Sequence, residues 1–282
     1  MKVLDLKNPF GAPIYHEEVL SSTFDAARLL AAGNEPHGTV IAADFQEAGR
    51  GRQNRSWKTE KGTSLLFTIL LRYRDFSSIP KVLTLRTGLA VSLALEDLVP
   101  ALAASIRIKW PNDIMICSRK AQAAFKAAGI LAETDGSTVY IGIGVNVAQK
   151  KFPDEYHGKA GSIIQAYPEL TAHIEDIRFP LLEKILLRLH DEIEKPQGDF
   201  QSSDWRERLH RRLYKIGGMV TFAEGAAEYD QAEYNHAGSG HIGSSRIIEG
   251  TLSGIGPGGE LLIIPRGEEK ERAFITGELR VY

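Results

Sequence analysis

The chain has 282 residues, 43% of them hydrophobic, enough for one large domain with a real core and a smaller one beside it. Its 34 Lys and Arg against 36 Asp and Glu leave a net charge of −2, which excludes a polyanion-binding surface spread over the whole molecule and confines any basic function to a local patch. Cys117 is the single cysteine, so no internal disulfide forms, and neither the first ten residues nor the run Leu65 to Leu71 has the apolar length of a signal peptide or a membrane span. The expectation is a soluble, cytoplasmic protein.

In chain order, Pro13 to Val19 predicts a short strand. Ser21-Ser22-Thr23 then precedes an alanine- and leucine-rich helix, Phe24 to Ala32, closed by Gly33. A hydroxyl residue there ordinarily caps the helix, with Ser21 favoured for that role. Pro36-His37-Gly38 turns into a strand from Thr39 to Phe45, and His37 is read as a turn residue rather than a catalytic one.

The stretch Gln46 to Trp57 lies between that strand and the next, Ser64 to Tyr73, and is read as their connecting loop. Arg50, Arg52 and Arg55 fall within six residues, interleaved with Gly49 and Gly51, and no acid lies between Gly49 and Trp57. By charge alone this is a solvated basic turn. Trp57 argues that the loop covers something, because an aromatic seldom ends a loop that faces only water.

Val82 to Leu98 has apolar residues at helical spacing and predicts a core helix, while Ile106 to Trp110 alternates as a half-buried strand stopped by Pro111-Asn112-Asp113. Lys126 to Glu133 and Val139 to Val147 predict two further strands. On the second, Val139, Ile141, Ile143, Val145 and Val147 share one face, and Gly142, Gly144 and Asn146 share the other. Such a glycine stripe serves the close approach of another group, either a packed element or a ligand ring with Asn146 as polar anchor. Two amphipathic helices follow, Ile174 to Glu194 and Asp204 to Leu213. From about Gly217 the pattern changes to short β-rich runs with a Gly-Pro-Gly-Gly turn at 256 to 259, interrupted by a stretch from Tyr229 to Ser245 read as an insertion.

Several of these segments together resemble the biotin protein ligases. Gly49 to Trp57 is similar to that family's GRGRxGRxW loop, with Asn54 in place of a glycine. Lys109-Trp110-Pro111-Asn112-Asp113 reads as its K-W-P-N-D motif, Lys126 to Glu133 as K-x-x-G-I-L-x-E, and Gly142 to Val147 as G-x-G-x-N-V. Pro36 to Val40 matches P-x-G-T-V. Ser22-Thr23 matches the start of S-T-N-x-x-A, with Phe24 where the asparagine stands. The spacing from Asp113 to the next motif's lysine is longer than in the family, so Ala121 to Phe125 looks like part of an insertion. Lys126 is preferred as the site lysine on register with Gly129-Ile130-Leu131, and Lys120 is its rival.

The resemblance covers residues 12 to 165 by motif and 215 to 282 by character. It implies an α+β fold: a class II aminoacyl-tRNA synthetase/biotin ligase-like mixed sheet with helices over 1–214, and a small SH3-like β-barrel over 215–282. It implies a two-step ligase that makes biotinyl-5′-AMP from biotin and ATP with Mg²⁺, then transfers biotin to a lysine of a biotin carboxyl carrier protein. The residues carried over for catalysis are Arg52, Lys126 and Asp113. Those for biotin are Ser22, Thr23, Gln46, Gly49, Arg50, Arg52, Lys126 and Gly129. Those for ATP are Arg52, Arg55, Trp57, Lys109, Asn112 and Asn146, with no metal ligand assigned. Because the motifs begin near residue 15, the sequence leaves no room for the N-terminal DNA-binding winged helix of many such ligases, so no DNA and no membrane partner is expected; a homodimer is allowed. A lipoate or octanoate ligase of the same fold, and a module that binds biotin without turnover, are the alternatives.

Overall fold

The computed structural model describes residues 1–53, 55–118, 123–156, 158–194, 204–225 and 246–280. Asn54, Lys120, the first part of the stretch 121–125 and the insertion at 229–245 lie outside the described residues.

Eight strands form one mixed sheet. They are β1 (Lys2–Val3), β2 (Ile14–Leu20), β3 (Thr39–Gln46), β4 (Ser64–Arg72), β5 (Ile106–Lys109), β6 (Asp113–Ser118), β7 (Ala123–Asp135) and β8 (Thr138–Asn146). Their order is β1-β2-β3-β4-β8-β7-β6-β5. The helices are α1 (Thr23–Ala32), α2 (Leu83–Leu98), the single turn α3 (Ile163–Ala166), α4 (Ile174–Ile193) and α5 (Asp204–Arg212). β2 and β3 pair in parallel and are joined by α1; parallel neighbours require such a crossover. The basic loop therefore starts where β3 leaves the sheet, beside the N-terminus of α1.

The sheet separates two apolar layers. On one face Val139, Ile141, Ile143 and Val145 pack with α2 and α4 in the main core. On the other, Phe24, Ala26 and Ala27 of α1 cover Ile41, Leu70 and Tyr140. The stretch 76–98 has the length and apolarity of a membrane span, but most of it is buried inside the protein. His37 serves the fold: its Nδ1 accepts from Arg72 N–H at 3.0 Å, and its Nε2 faces Glu194 at 3.2 Å.

Two readings of 106–125 are refined. The turn at Pro111-Asn112-Asp113 is followed at once by β6, so Asp113 opens a strand. Ala123, Ala124 and Phe125 pair with Ser118, Cys117 and Ile116, so the extra residues lengthen the β6–β7 hairpin. After α5 come β9 (Met219–Glu224), β10 (Arg246–Ile255), β11 (Leu261–Pro265), β12 (Arg272–Phe274) and β13 (Gly277–Arg280). They make an antiparallel sheet ordered β12-β11-β10-β9-β13. Its residues Phe222, Leu252, Ile263 and Leu279 join the same apolar core as α2 and α4. The Trp110 indole N–H donates to Gly259 O at 3.0 Å, tying the turn before β6 to this second sheet.

Candidate functional site

The glycine stripe of β8 lies on the α1 face, in the wall of a small, open cleft between the sheet and the basic loop. The close approach that the glycines permit is made here by the chain's own rings. The Phe24 ring lies against Gly142. The Trp57 indole lies over Gly144 and Gly129, where added Cβ atoms would fall 2.6 and 2.8 Å from the ring. Of the two groups that the stripe could admit, the structure has packed side chains there: Phe24 and Trp57 cover the glycines, and both line the cleft.

Lys126 reaches the same face by a device that alternation hides. In a regular strand, residues three apart point to opposite faces, so Lys126 and Gly129 would be separated. The β6–β7 register shifts between Ile114 and Met115, which pair with Ala128 and Lys126, and Ala127 becomes a bulge. Ala127 and Ala128 both fall in the main core. Lys126 emerges beside Gly129, its Nζ 3.0 Å from where a Cβ would stand there. The ammonium lies 2.7 Å from Asp113 Oδ1 and 5.3 Å from the Trp57 ring centroid.

The basic loop folds on itself. Gly51 N–H donates to Arg55 O (2.7 Å) and Trp57 N–H to Gly49 O (2.8 Å). A Cβ at Gly49 would sit 2.6 Å from Trp57 O, so this glycine closes the neck of the loop rather than forming cleft wall. The three arginines diverge. Arg50 turns to α1, pairing with Asp25 at 2.7 Å and lying over the Phe24 ring at 5.1 Å. Arg52 turns inward and donates to Asn112 Oδ1 at 3.2 Å. Burial pulls its pKa below the usual arginine range, opposed by the charges of Asp113 and Glu278. Arg55 spans to the second sheet and grips Glu278 of β13 with hydrogen bonds of 3.0 and 2.6 Å.

No local pattern marks Glu278, which is 223 residues from Arg55 in the chain, and the sequence reading missed it. The guanidinium bonded to it, helped by the charges of Lys109 and Arg52 and opposed by burial, holds its carboxyl below the ordinary range. The folded protein thus binds fewer protons at this carboxyl than the unfolded chain. The pair adds stability above the unfolded value of about 4.3 and loses it as pH falls through the lowered one. Glu278→Gln at neutral pH is expected to raise the rate of tryptic cleavage after Arg50, Arg52 and Arg55 by about fivefold. That is the equivalent of roughly 1 kcal/mol in loop attachment, a value already reduced for solvent screening of the half-exposed guanidinium. Mass spectrometry of the early fragments checks this.

At the other end of the cleft, Gln46 Oε1 accepts from both the N–H (2.7 Å) and the hydroxyl (2.9 Å) of Thr23, whose oxygen accepts from the Thr68 hydroxyl at 2.8 Å. Thr68, in the middle of an apolar strand, was not singled out from the sequence. Ser22, not Ser21, is the cap of α1: its buried oxygen accepts from Phe24 N–H at 3.2 Å, a bond worth about 1 kcal/mol. Asn112 is fixed by a 2.8 Å bond to Ile130 O. Asn146 points its amide at Gly161 O (3.2 Å) and Lys126 O (3.4 Å).

Of the residues singled out beforehand, Thr23, Gln46, Arg50 and Arg52 line the cleft, as do Trp57, Asn112, Lys126 and Gly129. Ser22, Gly49, Arg55, Lys109, Asp113 and Asn146 are not on its wall. Lys109 is 7% exposed and 4.0 Å from Asp113 Oδ2, and burial holds its ammonium below the usual lysine range. The Trp57 Nε1 donor is buried without a hydrogen-bond partner among the described residues. Among those residues no group of three or more His, Cys, Asp or Glu is placed to hold a metal ion.

A sequence profile described as the Biotin/lipoate A/B protein ligase family matches residues 17–146. The bifunctional ligase/repressor BirA of Bacillus subtilis is 41% identical over 165 residues, covering 55% of this chain and 47% of that protein. The biotin–[acetyl-CoA-carboxylase] ligase of Mycobacterium tuberculosis is 32% identical over 148 residues, covering 51% and 52%. The chain thus matches about half the length of these relatives. The biotin protein ligase of Aquifex aeolicus, solved in complex with biotin and ATP, superposes with a TM-score of 0.70 at 26% identity, over 95% of this chain and 97% of that one. Residues 17–146 are thus similar in sequence to the biotin/lipoate A/B protein ligase family, and the chain shares its fold nearly end to end with the biotin protein ligase of Aquifex aeolicus.

Proposed function

We propose that the chain activates biotin with ATP and transfers it to a lysine of a biotin carboxyl carrier protein. The observation that carries this reading is the polarity of the cleft. The Thr23–Gln46 pair stands at the β3 side, and Arg52 and Lys126 stand at the β6–β7 side. Three strand steps, about 14 Å, separate β3 from β7. One side offers hydrogen bonds to an uncharged polar head; the other offers cations to a carboxylate and a phosphate.

In the first step a biotin carboxylate oxygen attacks the α-phosphorus of ATP, and the bond from that phosphorus to pyrophosphate breaks. Two anions must meet, and at 4 Å their repulsion costs about 4 kcal/mol at an effective dielectric near 20. Arg52 and Lys126 offset that repulsion from positions fixed before the substrates arrive, Arg52 by Asn112 and Lys126 by Asp113. In the second step the neutral amine of a carrier lysine attacks the acyl carbon, the bond from that carbon to the AMP oxygen breaks, AMP leaves, and the proton lost from nitrogen passes to solvent. Asp113 is engaged by Lys126, so its part is to orient that lysine. The unpartnered Trp57 N–H gives the roof a donor for a ligand oxygen. Mg²⁺ would enter on the phosphates of ATP, with no cluster of protein ligands among the described residues built to hold it.

The test is incorporation of labelled biotin into a carrier domain with ATP present and absent, with lipoate run in parallel. ATP-dependent incorporation of biotin alone is the expected result. Incorporation of lipoate instead would reassign the substrate, and biotin binding without incorporation would make the chain a storage module.

A further inference from the structure

We infer that Phe125 is a positioning residue for Lys126, acting through the segment 159–161; the inference rests on the reading of Lys126 as a site cation. The bulge at Ala127 shifts the β6–β7 register, and Lys126 stays paired with Met115 on its β6 side. The β7–β8 pairing runs only from Ala128 opposite Val145 to Asp135 opposite Thr138, so β8 does not hold the backbone at Lys126. A different segment takes over. Lys126 N–H donates to Lys159 O at 2.8 Å, and Gly161 N–H donates to Lys126 O at 3.1 Å, forming a one-residue parallel bridge to Ala160. The Asn146 amide reaches the carbonyls of both Lys126 and Gly161.

What presses this segment into place is the Phe125 ring. It lies so close over Gly161 that a Cβ there would overlap the ring. Gly161 is not among the positive-φ glycines, so its lack of a side chain answers to the ring and not to the backbone. Phe125 is partly buried against the main core, and it belongs to the lengthened part of the β6–β7 hairpin. The extra residues of that hairpin thus carry the ring that seats 159–161 against the backbone of the site lysine. Losing the ring would leave Lys126 with its ion pair and its β6 pairing to Met115, but would loosen the attachment on its other edge. A shift of about 1 Å in such a group costs up to about a hundredfold in rate.

The experiment uses the full chain and two readouts. The first is kcat and KM for biotin in biotin-dependent exchange of pyrophosphate into ATP. The second is trace acetylation of Lys126 with acetic anhydride, read by mass spectrometry, which needs no turnover. Phe125→Ala is expected to lower kcat about tenfold with KM for biotin within about twofold, and to raise acetylation of Lys126 about fivefold as its pairing loosens. Phe125→Leu, which restores most of the apolar volume, should return both to within about threefold of the parent. A Phe125→Ala protein with parental kcat and parental acetylation would overturn the inference. So would one in which only the melting temperature falls. If Phe125→Ala does not fold, Gly161→Ala places a methyl group under the ring and decides the question on the same readouts. If the parent chain shows no exchange, the proposed ligase reading fails, and the acetylation arm still decides the role of Phe125.

Discussion

Lys126→Met is expected to lower biotin-dependent pyrophosphate exchange by about 10²–10³-fold, the usual loss when one preorganised donor to developing charge is removed. Methionine keeps an unbranched apolar stem of similar length, so contacts with the Trp57 ring and Gly129 survive and the loss is one of charge. It also leaves Asp113 without the ammonium at 2.7 Å. Lys109 is 4.0 Å from the same carboxylate but buried, and of the two lysines Lys126 lines the cleft. The measurement is exchange at saturating biotin and ATP, with biotin affinity followed separately. A rate within about threefold of the parent would remove Lys126 from the chemistry and leave Arg52 as the principal cation.

The second large effect is expected from Gly144→Val. Gly144 is not among the residues with positive φ, so the backbone tolerates valine and the constraint comes from the indole, whose ring atoms stand 2.6 and 2.8 Å from an added Cβ. One of the two must move, and the ring sits on a loop. Overpacking of this kind costs about 1–3 kcal/mol, which here would be drawn from loop closure, a factor of about 5 to 150 in the closed population. Release of free biotinyl-adenylate should rise in proportion, because the ring that roofs the cleft no longer seats. Chromatography of the adenylate released during single turnover reads this directly. Release at the parental rate would mean that Trp57 does not retain the intermediate.

Much of this site was legible in the residues. The two strands that flank the basic loop, the glycine stripe of β8 and the turn before β6 follow from alternation and turn chemistry, and these are signals that a single segment carries within itself. What stayed hidden depends on counting across segments. The bulge at Ala127 consists of two ordinary alanines, and only the pairing with Ile114 and Met115 reveals that they face the same side. Trp57 reads as an aromatic with something to cover and Phe24 as the first residue of a helix, and nothing in either segment says that each lies on a glycine of β8. Glu278 reads as one more surface acid until the second sheet brings it to Arg55. Asn146 reads as a ligand anchor because an amide beside two glycines suggests one, whereas its amide nitrogen is turned to main-chain carbonyls.

The attachment of Arg55 to β13 and of Trp110 to Gly259 alters how the chain divides. A change of secondary-structure character near residue 215 looks like a border between an enzyme and an appendage. Yet the inward side chains of the second sheet dissolve into the same oil drop as α2 and α4, and one of its carboxylates clasps the lid. The machinery therefore does not end where the helices end. A polypeptide cut at residue 214 would keep every side chain of the cleft wall and lose the latch that holds its cover down.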